Sequence, residues 1–317
     1  MATDNVLEIK NLHTYFYTDG GVIKAVDGVD VELRRGATLG IVGESGSGKS
    51  VTSLSVMGLL TGTKGKIADG EILLDGDDIV KLTKEQQRKL RGSKISMIFQ
   101  EPMTSLNPVM KIGDQVAECV LQHEKISKKE ALKKAEDMLR KTGVPRVEHM
   151  MKEYPFQLSG GQRQRIGIAR TLALEPDFIV CDEPISALDV SIQAQVINLF
   201  RRLQKQFNLT YVFISHDLGI IKYISDRIMI MYLGRVMEFY TSEGIYADPK
   251  HPYTQALLSA IPPESPFEKK ERLPLTGDIP SPIGDQVGCP LAGRCPHCTE
   301  RCKKEIPKLV DTGDGHM

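Results

Sequence analysis

Residues 43–50, GESGSGKS, have the types and the spacing that bind a polyphosphate group. They fit the pattern G-x-x-x-x-G-K-S/T and directly follow the apolar residues 38–42, so they are expected to join a strand to a helix. Glycine lets successive backbone N–H groups approach phosphate oxygens, and a helix N-terminus attracts the same anion. The predicted nucleotide-binding residues are Gly43, Ser45, Gly46, Gly48, Lys49 and Ser50. In this pattern Lys49 reaches the β- and γ-phosphate oxygens and Ser50 binds Mg²⁺.

Two adjacent acids follow a second apolar stretch, residues 178–181. Asp182, at the end of a buried strand, can support Mg²⁺ and its water shell, because this cation binds carboxylate oxygens. Glu183 is positioned differently and can accept a proton from an attacking water. The pair therefore predicts two separate roles, metal support and general base.

The string LSGGQ at residues 158–162 predicts a second anion site. Ser159 is a favoured helix N-cap, and Gly160 and Gly161 allow an anion to approach the backbone of the helix that follows. One chain does not need two such sites for one γ-phosphate.

The composition limits the function classes. Because 41 basic and 41 acidic residues cancel, no net charge attracts the chain to nucleic acid, and we expect no nucleic-acid partner. The first ten residues, MATDNVLEIK, lack the apolar segment of a secretory signal, and no apolar run approaches the roughly 18 residues that span a bilayer. We expect a soluble, cytoplasmic chain whose six cysteines stay reduced or bind metal.

These motifs require a mixed α/β fold to position them. An early antiparallel sheet is predicted from the β-rich residues 6–10, 22–26 and 29–33. Further on, strands alternate with helices, which predicts a mainly parallel sheet covered on both faces. Its expected strands are residues 38–42, 95–99, 178–181 and 211–214, with a closing pair at 227–232 and 235–240.

A helical subdomain is predicted within this core, because residues 118–141 carry an apolar face of Ala131, Leu132, Ala135, Met138 and Leu139. Beyond about residue 241, repeated prolines predict an extended appendage with short helices. The predicted fold class is α/β: a P-loop NTPase core with an antiparallel β subdomain, an inserted α-helical subdomain and an irregular, proline-rich carboxy-terminal appendage. Expected boundaries are 1–240 for the nucleotide-binding domain, about 102–172 for its helical subdomain and 241–317 for the appendage.

The order of the motifs resembles that of the ATP-binding cassette (ABC) ATPases. The phosphate loop, LSGGQ, the acids Asp182 and Glu183, the string SALD at residues 186–189 and His216 follow that family's order within residues 5–240. The resemblance implies two cassettes that face each other, each LSGGQ covering an ATP held by the partner's phosphate loop. Half of each active site would then come from another chain.

The resemblance also implies roles for single residues. Gln100 would contact Mg²⁺ or the attacking water, and His216 would hydrogen-bond the γ-phosphate and hold Glu183 in position. Gln100, Glu183 and His216 are therefore the predicted catalytic residues. Asp189 would couple the two cassettes, and Phe16 would stack on adenine.

Two strings are similar to the ATPases of peptide importers: HPYTQALL at residues 251–258 and PMTSLNP at residues 102–108. They imply an ATP-hydrolysing subunit for dipeptide or oligopeptide import, peripheral to the cytoplasmic face of the inner membrane. Expected partners are two transmembrane permease subunits, a second ABC ATPase subunit that is paralogous or identical, and, indirectly, an extracytoplasmic substrate-binding protein. Open alternatives are an importer of nickel or another small solute, an ABC ATPase outside transport, and a redox-regulated ATP switch.

Four closely spaced cysteines, Cys289, Cys295, Cys298 and Cys302, indicate a metal site. Four thiolates suit either tetrahedral Zn²⁺ or a four-iron cluster. The resemblance to peptide-importer ATPases favours a 4Fe–4S cluster over Zn²⁺. His297 lies inside the segment and could replace one ligand.

Overall fold

The structure, a computed structural model, describes residues 4–100, 105–262 and 271–317. Its described residues divide into two compact units. Among the described residues, the first unit comprises those within 4–6, 34–37 and 81–214, and the second comprises those within 7–33, 38–80 and 215–317. Each unit is therefore assembled from separated stretches of sequence.

The strands, numbered along the chain, are β1 Asn5–Thr18, β2 Gly21–Arg34, β3 Thr38–Val42, β4 Gly65–Leu74, β5 Asp77–Asp78, β6 Ile95–Ile98, β7 Phe178–Asp182, β8 Thr210–Ile214, β9 Arg227–Tyr232 and β10 Arg235–Thr241. The α-helices are α1 Lys49–Val56, α2 Lys84–Ser93, α3 Ile112–His123, α4 Lys128–Lys141, α5 Val147–Met150, α6 Gly160–Leu172, α7 Val190–Phe207, α8 Leu218–Ile224, α9 Ser242–Ala247 and α10 Pro252–Ser259.

The predicted early sheet is present and antiparallel, in the order β2-β1-β4-β5. Leu7 of β1 pairs with Leu74 of β4, and Ile9 pairs with Ile72, which brings the buried side chains of both strands together. The two runs predicted at residues 22–26 and 29–33 form one strand, β2. The chain continues through Gly28 at a φ of 79°, so this glycine bends the strand without ending it.

Parallel pairing occurs in both units, as predicted. In the second unit β3 pairs with β9 in parallel, and β9 turns through residues 233–234 into the antiparallel β10. In the first unit β7 lies between β6 and β8, and both pairings are parallel. All residues of β3, β7 and β8 are buried, as continuous apolar runs in a covered parallel sheet should be.

The helical pattern of residues 118–141 belongs to two helices, α3 and α4. Between them, the Ser127 hydroxyl accepts a hydrogen bond from the Glu130 N–H (3.3 Å), while the Glu130 carboxylate accepts one from the Ser127 N–H (2.9 Å). This capping box starts α4. It divides the helical pattern that periodicity alone predicts as continuous over residues 118–141. On α4 the predicted apolar face is buried except for Leu132, which is half-buried.

The appendage is mostly irregular, as its prolines predicted. After α9 and α10, the described residues 271–317 form neither helix nor strand beyond an isolated bridge between Ile23 and Ile283. The N–H of Gly284 donates to the carbonyl of Val22 at 3.0 Å, which ties this segment to β2. Residues 263–270 and 101–104 lie outside the described residues, and the latter include the first three positions, 102–104, of the PMTSLNP string. Among the described residues, no helix has the length and apolar character needed to cross a membrane.

Candidate nucleotide-binding and hydrolysis site

The phosphate loop leaves the carboxyl end of β3 and runs into the first residue of α1. The Lys49 ammonium turns back into the loop and donates hydrogen bonds to the carbonyl oxygens of Gly43 (2.7 Å) and Glu44 (2.9 Å). A longer contact of 3.4 Å joins it to the hydroxyl of Ser47. The loop therefore wraps around a buried cation, which is the group that a β- or γ-phosphate oxygen would meet.

Two glycines determine the shape of the loop. Gly48 has a φ of 101°, and a Cβ there would lie 2.4 Å from the carbonyl oxygen of Ala25, so a larger residue would force the backbones apart. At Gly46, with a φ of 78°, no described residue beyond its two chain neighbours has an atom within 4 Å of the Cβ position. Ser45, Gly46 and Ser50 are exposed, so this side of the loop has room for a phosphate group.

Phe16 lies on β1 in the same unit, directly opposite Gly65 of β4. A Cβ on Gly65 would lie 2.7 Å from the Phe16 ring, so the ring packs against the glycine backbone. The ring is half-buried, which leaves part of it accessible. Stacking of Phe16 on adenine stays a prediction.

The first unit brings together two of the three predicted catalytic residues. The Gln100 amide donates a hydrogen bond to the Glu183 carboxylate, with 3.0 Å between Nε2 and Oε2. Gln100 follows β6 and Glu183 follows β7, and Ile98 pairs with Cys181 in these parallel strands. Since parallel strands end at the same edge of a sheet, the pairing of β6 with β7 places the two side chains together.

Consecutive acids take different environments because the backbone turns sharply between them. Asp182 is the last residue of β7 and is 8% exposed, whereas Glu183 is half-buried and has a φ of 45°, in the left-handed region that residues other than glycine rarely adopt. The Glu183 N–H donates to the carbonyl of Ile214 (3.0 Å), and the Ser186 hydroxyl donates to the Glu183 carbonyl (3.1 Å). These bonds hold the strained turn at Glu183.

Ser159 caps α6, as predicted. Its hydroxyl accepts a hydrogen bond from the Gln162 N–H (3.4 Å), and the Gln162 side-chain oxygen accepts one from the Ser159 N–H (2.9 Å). A Cβ on Gly161 would lie 2.8 Å from Cγ2 of Ile192, which accounts for glycine at this position. Ser159 and Gly160 are exposed, so this helix N-terminus is open to an anion from outside the chain.

The other two predicted site residues, Asp189 and His216, lie at or just before the starts of helices. Asp189 occupies the N-cap position of α7 and is exposed. His216 is also exposed and directly precedes Asp217, whose carboxylate caps α8 by accepting from the Ile220 N–H at 3.2 Å. By unit, the first holds Gln100, Asp182, Glu183, Asp189 and the LSGGQ string, and the second holds Phe16, the phosphate loop and His216.

One pair of contacts to the phosphate loop was missed by sequence reasoning. The Glu44 N–H donates to the Tyr253 hydroxyl at 2.9 Å, and the Glu44 carboxylate pairs with Arg294. These partners lie 209 and 250 positions further along the chain, so no local spacing links them to the loop. The HPYTQALL string marked Tyr253 but carried no signal of what it contacts.

The backbone brings the four clustered cysteines together in two pairs. The Cys289 N–H donates to the Cys302 carbonyl (2.6 Å), and the Cys298 N–H donates to the Cys295 carbonyl (3.2 Å). Burial raises the pKa of the Cys289 thiol, whereas a hydrogen bond with the Thr299 hydroxyl lowers the pKa of the Cys302 thiol. Within the described part of the chain, no three Cys, His, Asp or Glu side chains form a group that could hold a metal ion.

Two family profiles match this sequence. The ABC transporter family matches residues 26–186, about half of the chain. The carboxy-terminal region of oligopeptide/dipeptide transporters matches residues 237–302, which include Tyr253 and the four clustered cysteines.

Curated proteins are similar to the chain over almost its whole length. The oligopeptide transport ATP-binding protein AppD of Bacillus subtilis (strain 168) is 45% identical over 311 residues, which cover 98% of this chain and 94% of AppD. The dipeptide transport ATP-binding protein DppD of the same organism is 44% identical over 313 residues, covering 99% of this chain and 93% of DppD.

Solved structures share the fold. The dimeric post-hydrolysis state of the ATP-binding cassette MJ0796, bound to ADP and Pi, has a TM-score of 0.66 and 29% identity, covering 74% of this chain and 98% of MJ0796. CbiO1 from Clostridium perfringens, part of the ABC transporter complex cbiONQ, has a TM-score of 0.67 and 29% identity, covering 77% of this chain and 92% of CbiO1. The predicted P-loop α/β fold class is thereby confirmed, and the chain belongs to the ATP-binding proteins of the ABC transporter family, which makes it an ATPase.

Proposed function

We propose that this chain is the ATP-hydrolysing subunit of an importer for dipeptides or oligopeptides. The proposal that this site hydrolyses ATP rests above all on the hydrogen bond between Gln100 and Glu183 at the end of β7. The proposal of a peptide cargo is supported by the match of residues 237–302 to oligopeptide/dipeptide transporters and by relatives named for peptide transport. The subunit would act at the cytoplasmic face of the inner membrane, attached to two permease subunits that receive peptide from an extracytoplasmic binding protein.

Each step of ATP hydrolysis has a residue suited to it. Lys49 exchanges its bonds to the loop carbonyls for β- and γ-phosphate oxygens, while the loop amides bind the same anion. The Ser50 hydroxyl, the Asp182 carboxylate and the Gln100 side-chain oxygen are the hard oxygen donors that Mg²⁺ prefers. Bound Mg²⁺ would supply positive charge that offsets the charge developing on the phosphate oxygens.

Glu183 is the proposed general base. It takes a proton from water as the water oxygen bonds to the γ-phosphorus, the bond from this phosphorus to the bridging oxygen breaks, and the electron pair leaves with ADP. The Gln100 amide holds the Glu183 carboxylate through the 3.0 Å hydrogen bond. The His216 imidazole stabilises the γ-phosphate by a further hydrogen bond.

A second cassette completes the proposed active site. The exposed N-terminal end of α6, at Ser159 and Gly160, is suited to bind the γ-phosphate of ATP held by another cassette. Asp189, exposed at the start of α7, would couple the two cassettes. The partner is a paralogous subunit or a second copy of this chain, and a solitary copy should hydrolyse ATP poorly.

Glu183→Gln tests the proposed base. Glutamine keeps the size and an oxygen that can accept the Gln100 bond, but it cannot take a proton, so kcat should fall about 100-fold or more while ATP still binds. The assay is phosphate release by the complex with its copurified membrane subunits. Glu175→Gln is a matched control, because Glu175 also has a left-handed φ, of 48°, and pairs with Lys141 on the surface. A normal rate in Glu183→Gln would exclude Glu183 as the base.

The cargo needs a separate measurement. Vesicles containing the assembled complex and its binding protein should take up labelled dipeptide or longer peptide only with ATP inside, and not with the Glu183→Gln subunit. ATP-dependent uptake of Ni²⁺ without peptide uptake would instead favour the small-solute alternative. Copurification with ribosomes or DNA, and without membrane subunits, would favour a role outside transport.

We further propose that Cys289, Cys295, Cys298 and Cys302, whose side chains do not form a metal-binding group in the structure, close around a 4Fe–4S cluster when it binds, with Zn²⁺ as the alternative. The support is the chemistry of four thiols on a segment closed by the Cys289–Cys302 backbone hydrogen bond, within a region matched to peptide transporters. Such a cluster would supply an electron-accepting centre. Anaerobic purification followed by iron, sulfide and zinc analysis should give four irons per chain in the wild type and fewer in Cys302→Ser. One zinc and no iron would exclude the cluster, and an ATPase rate that follows the redox potential would favour a redox switch.

A further inference from the structure

An arginine from the cysteine segment reaches the phosphate loop. Arg294 directly precedes Cys295, and its guanidinium forms a two-pronged ion pair with the Glu44 carboxylate. The two bonds measure 2.7 Å from Nη1 to Oε2 and 3.1 Å from Nη2 to Oε1. Glu44 directly follows Gly43 in the phosphate loop. This geometry is the strong, directional form of an arginine–carboxylate bond.

A buried tyrosine holds the backbone of the same loop residue. The Tyr253 hydroxyl, on α10, accepts a hydrogen bond from the Glu44 N–H at 2.9 Å. Burial is the main cause that raises the pKa of Tyr253, and the nearby Glu44 and Tyr232 raise it further. Its hydroxyl therefore stays neutral. The Tyr253 ring is fully buried and lies 4.9 Å from the ring of Tyr232, whose hydroxyl accepts a further bond from Arg294 at 3.3 Å.

The charges explain why this contact should matter to nucleotide binding. A carboxylate beside a loop that binds polyphosphate repels the ligand unless a cation neutralises it. The Arg294 side chain is 9% exposed and that of Glu44 is 28% exposed, so water and salt screen the pair only in part. An arginine guanidinium is always charged in proteins, so Arg294 can neutralise the Glu44 carboxylate.

We propose that Arg294 and Tyr253 are positioning residues for the phosphate loop, and that Arg294 sets the ATP affinity of the loop by neutralising Glu44. The carboxy-terminal appendage is thereby part of the nucleotide site, although it carries no phosphate-binding motif. The proposal rests on the assignment of residues 43–50 as the ATP phosphate loop, and its test separates the two.

Equilibrium binding of Mg–ATP to the full chain tests the proposal. Arg294→Met keeps the length of the side chain and removes its charge, so the Kd should rise about tenfold, a modest effect for a lost charged hydrogen-bonding partner. Glu44→Gln leaves the Arg294 charge unpaired beside the phosphates, so its Kd should be no higher than that of the wild type. The double variant Arg294→Met with Glu44→Gln should recover most of the affinity, because no uncompensated carboxylate remains. Arg294→Lys keeps the charge but loses the two-pronged geometry of the guanidinium. Its Kd should lie between those of the wild type and Arg294→Met.

A matched control is Arg301→Met, which removes an exposed arginine of the same cysteine segment that pairs with Glu305. Its Kd should equal that of the wild type. Tyr253→Phe should speed amide hydrogen exchange at Glu44, where the acceptor is lost, and this readout does not depend on activity. In the assembled complex, Arg294→Met should raise KM for ATP and leave kcat at saturating ATP nearly unchanged.

Three outcomes overturn the proposal: an unchanged Kd in Arg294→Met, an equal loss in Arg301→Met, or a loss that Glu44→Gln does not rescue. The last would mean that Arg294 acts through the fold of the cysteine segment. Lys49→Ala separately tests the loop assignment, because ATP binding that is independent of Lys49 would refute that assignment and not the role of Arg294.

Discussion

Asp27 accepts several hydrogen bonds whose loss should lower stability in a pH-dependent way. Its carboxylate accepts bonds from the Tyr15 hydroxyl (2.8 Å) and from Nδ1 of His13 (2.9 Å), and it pairs with Arg235. These partners come from β1 and β10, so Asp27 of β2 joins three strands of the second unit. Asp27→Asn keeps the size of the side chain and removes its charge.

The magnitude follows from burial and charge. A hydrogen bond to a charged group contributes about 1.5–3 kcal/mol. The Asp27 side chain is 11% exposed and that of Arg235 is 27% exposed, so solvent weakens the ion pair. We therefore expect a loss of about 2 kcal/mol in the free energy of unfolding, which lowers Tm by about 5 °C.

The pH dependence has a definite sign. Burial alone would raise the pKa of Asp27, but the hydrogen bonds from Tyr15 and His13 and the charge of Arg235 outweigh it and hold the pKa below its ordinary value. Stabilisation by the ionised carboxylate is then complete above the unfolded-state pKa of about 4 and is lost as pH falls through the lower folded-state value. Burial and the bond to Asp27 raise the pKa of Tyr15 to about 12, so Tyr15 stays a neutral donor.

Thermal unfolding of the wild type and Asp27→Asn, followed by circular dichroism from pH 7.5 to pH 3, measures this effect. The difference in Tm should be constant down to about pH 5 and should shrink below pH 4. Asp285→Asn is the control, because Asp285 pairs with Lys24 but its side chain is 86% exposed. Equal Tm values at pH 7.5, or a difference that does not change with pH, would refute this account of Asp27.

Two further substitutions test the nucleotide site. Ser159→Ala removes the cap of α6, so it should cost about 1 kcal/mol of stability and weaken ATP-dependent association of Glu183→Gln cassettes. Ser127→Ala, which removes the matching cap of α4, should cost similar stability in denaturant titrations and leave association unchanged in size-exclusion chromatography. Phe16→Ala should raise the Kd for ATP about fivefold through lost stacking. It should not change the Kd for inorganic triphosphate, and an equal effect on both ligands would show that Phe16 does not stack on adenine.

Local sequence predicted the elements whose cause is local. The phosphate loop, the capped helix at Ser159 and the acids after β7 were predicted because glycine conformation, helix capping and strand burial depend on neighbouring residues. The same local reasoning contained the signal for the break between α3 and α4. Ser127 and Glu130 form a capping box, which was overlooked because apolar periodicity continues across the break.

The pairing of strands that lie far apart in the sequence could not be predicted from the sequence. The order β8-β7-β6 in the first unit places residue 100 beside residue 183, a contact that sequence supported only by resemblance to a family. Periodicity shows that a strand is buried but does not show which strand lies next to it. The Gln100–Glu183 hydrogen bond is therefore a result of tertiary structure.

By itself, the sequence determined the class of protein: a P-loop ATPase with an LSGGQ helix, a candidate base after a buried strand and a cysteine-rich appendage. It did so because phosphate binding and capping require particular residues at short, regular spacing. Only the tertiary structure decided that the appendage reaches the phosphate loop, since Tyr253 and Arg294 contact Glu44 across 209 and 250 positions. Contacts of that range depend on how the chain packs, and packing leaves no fixed spacing in the sequence.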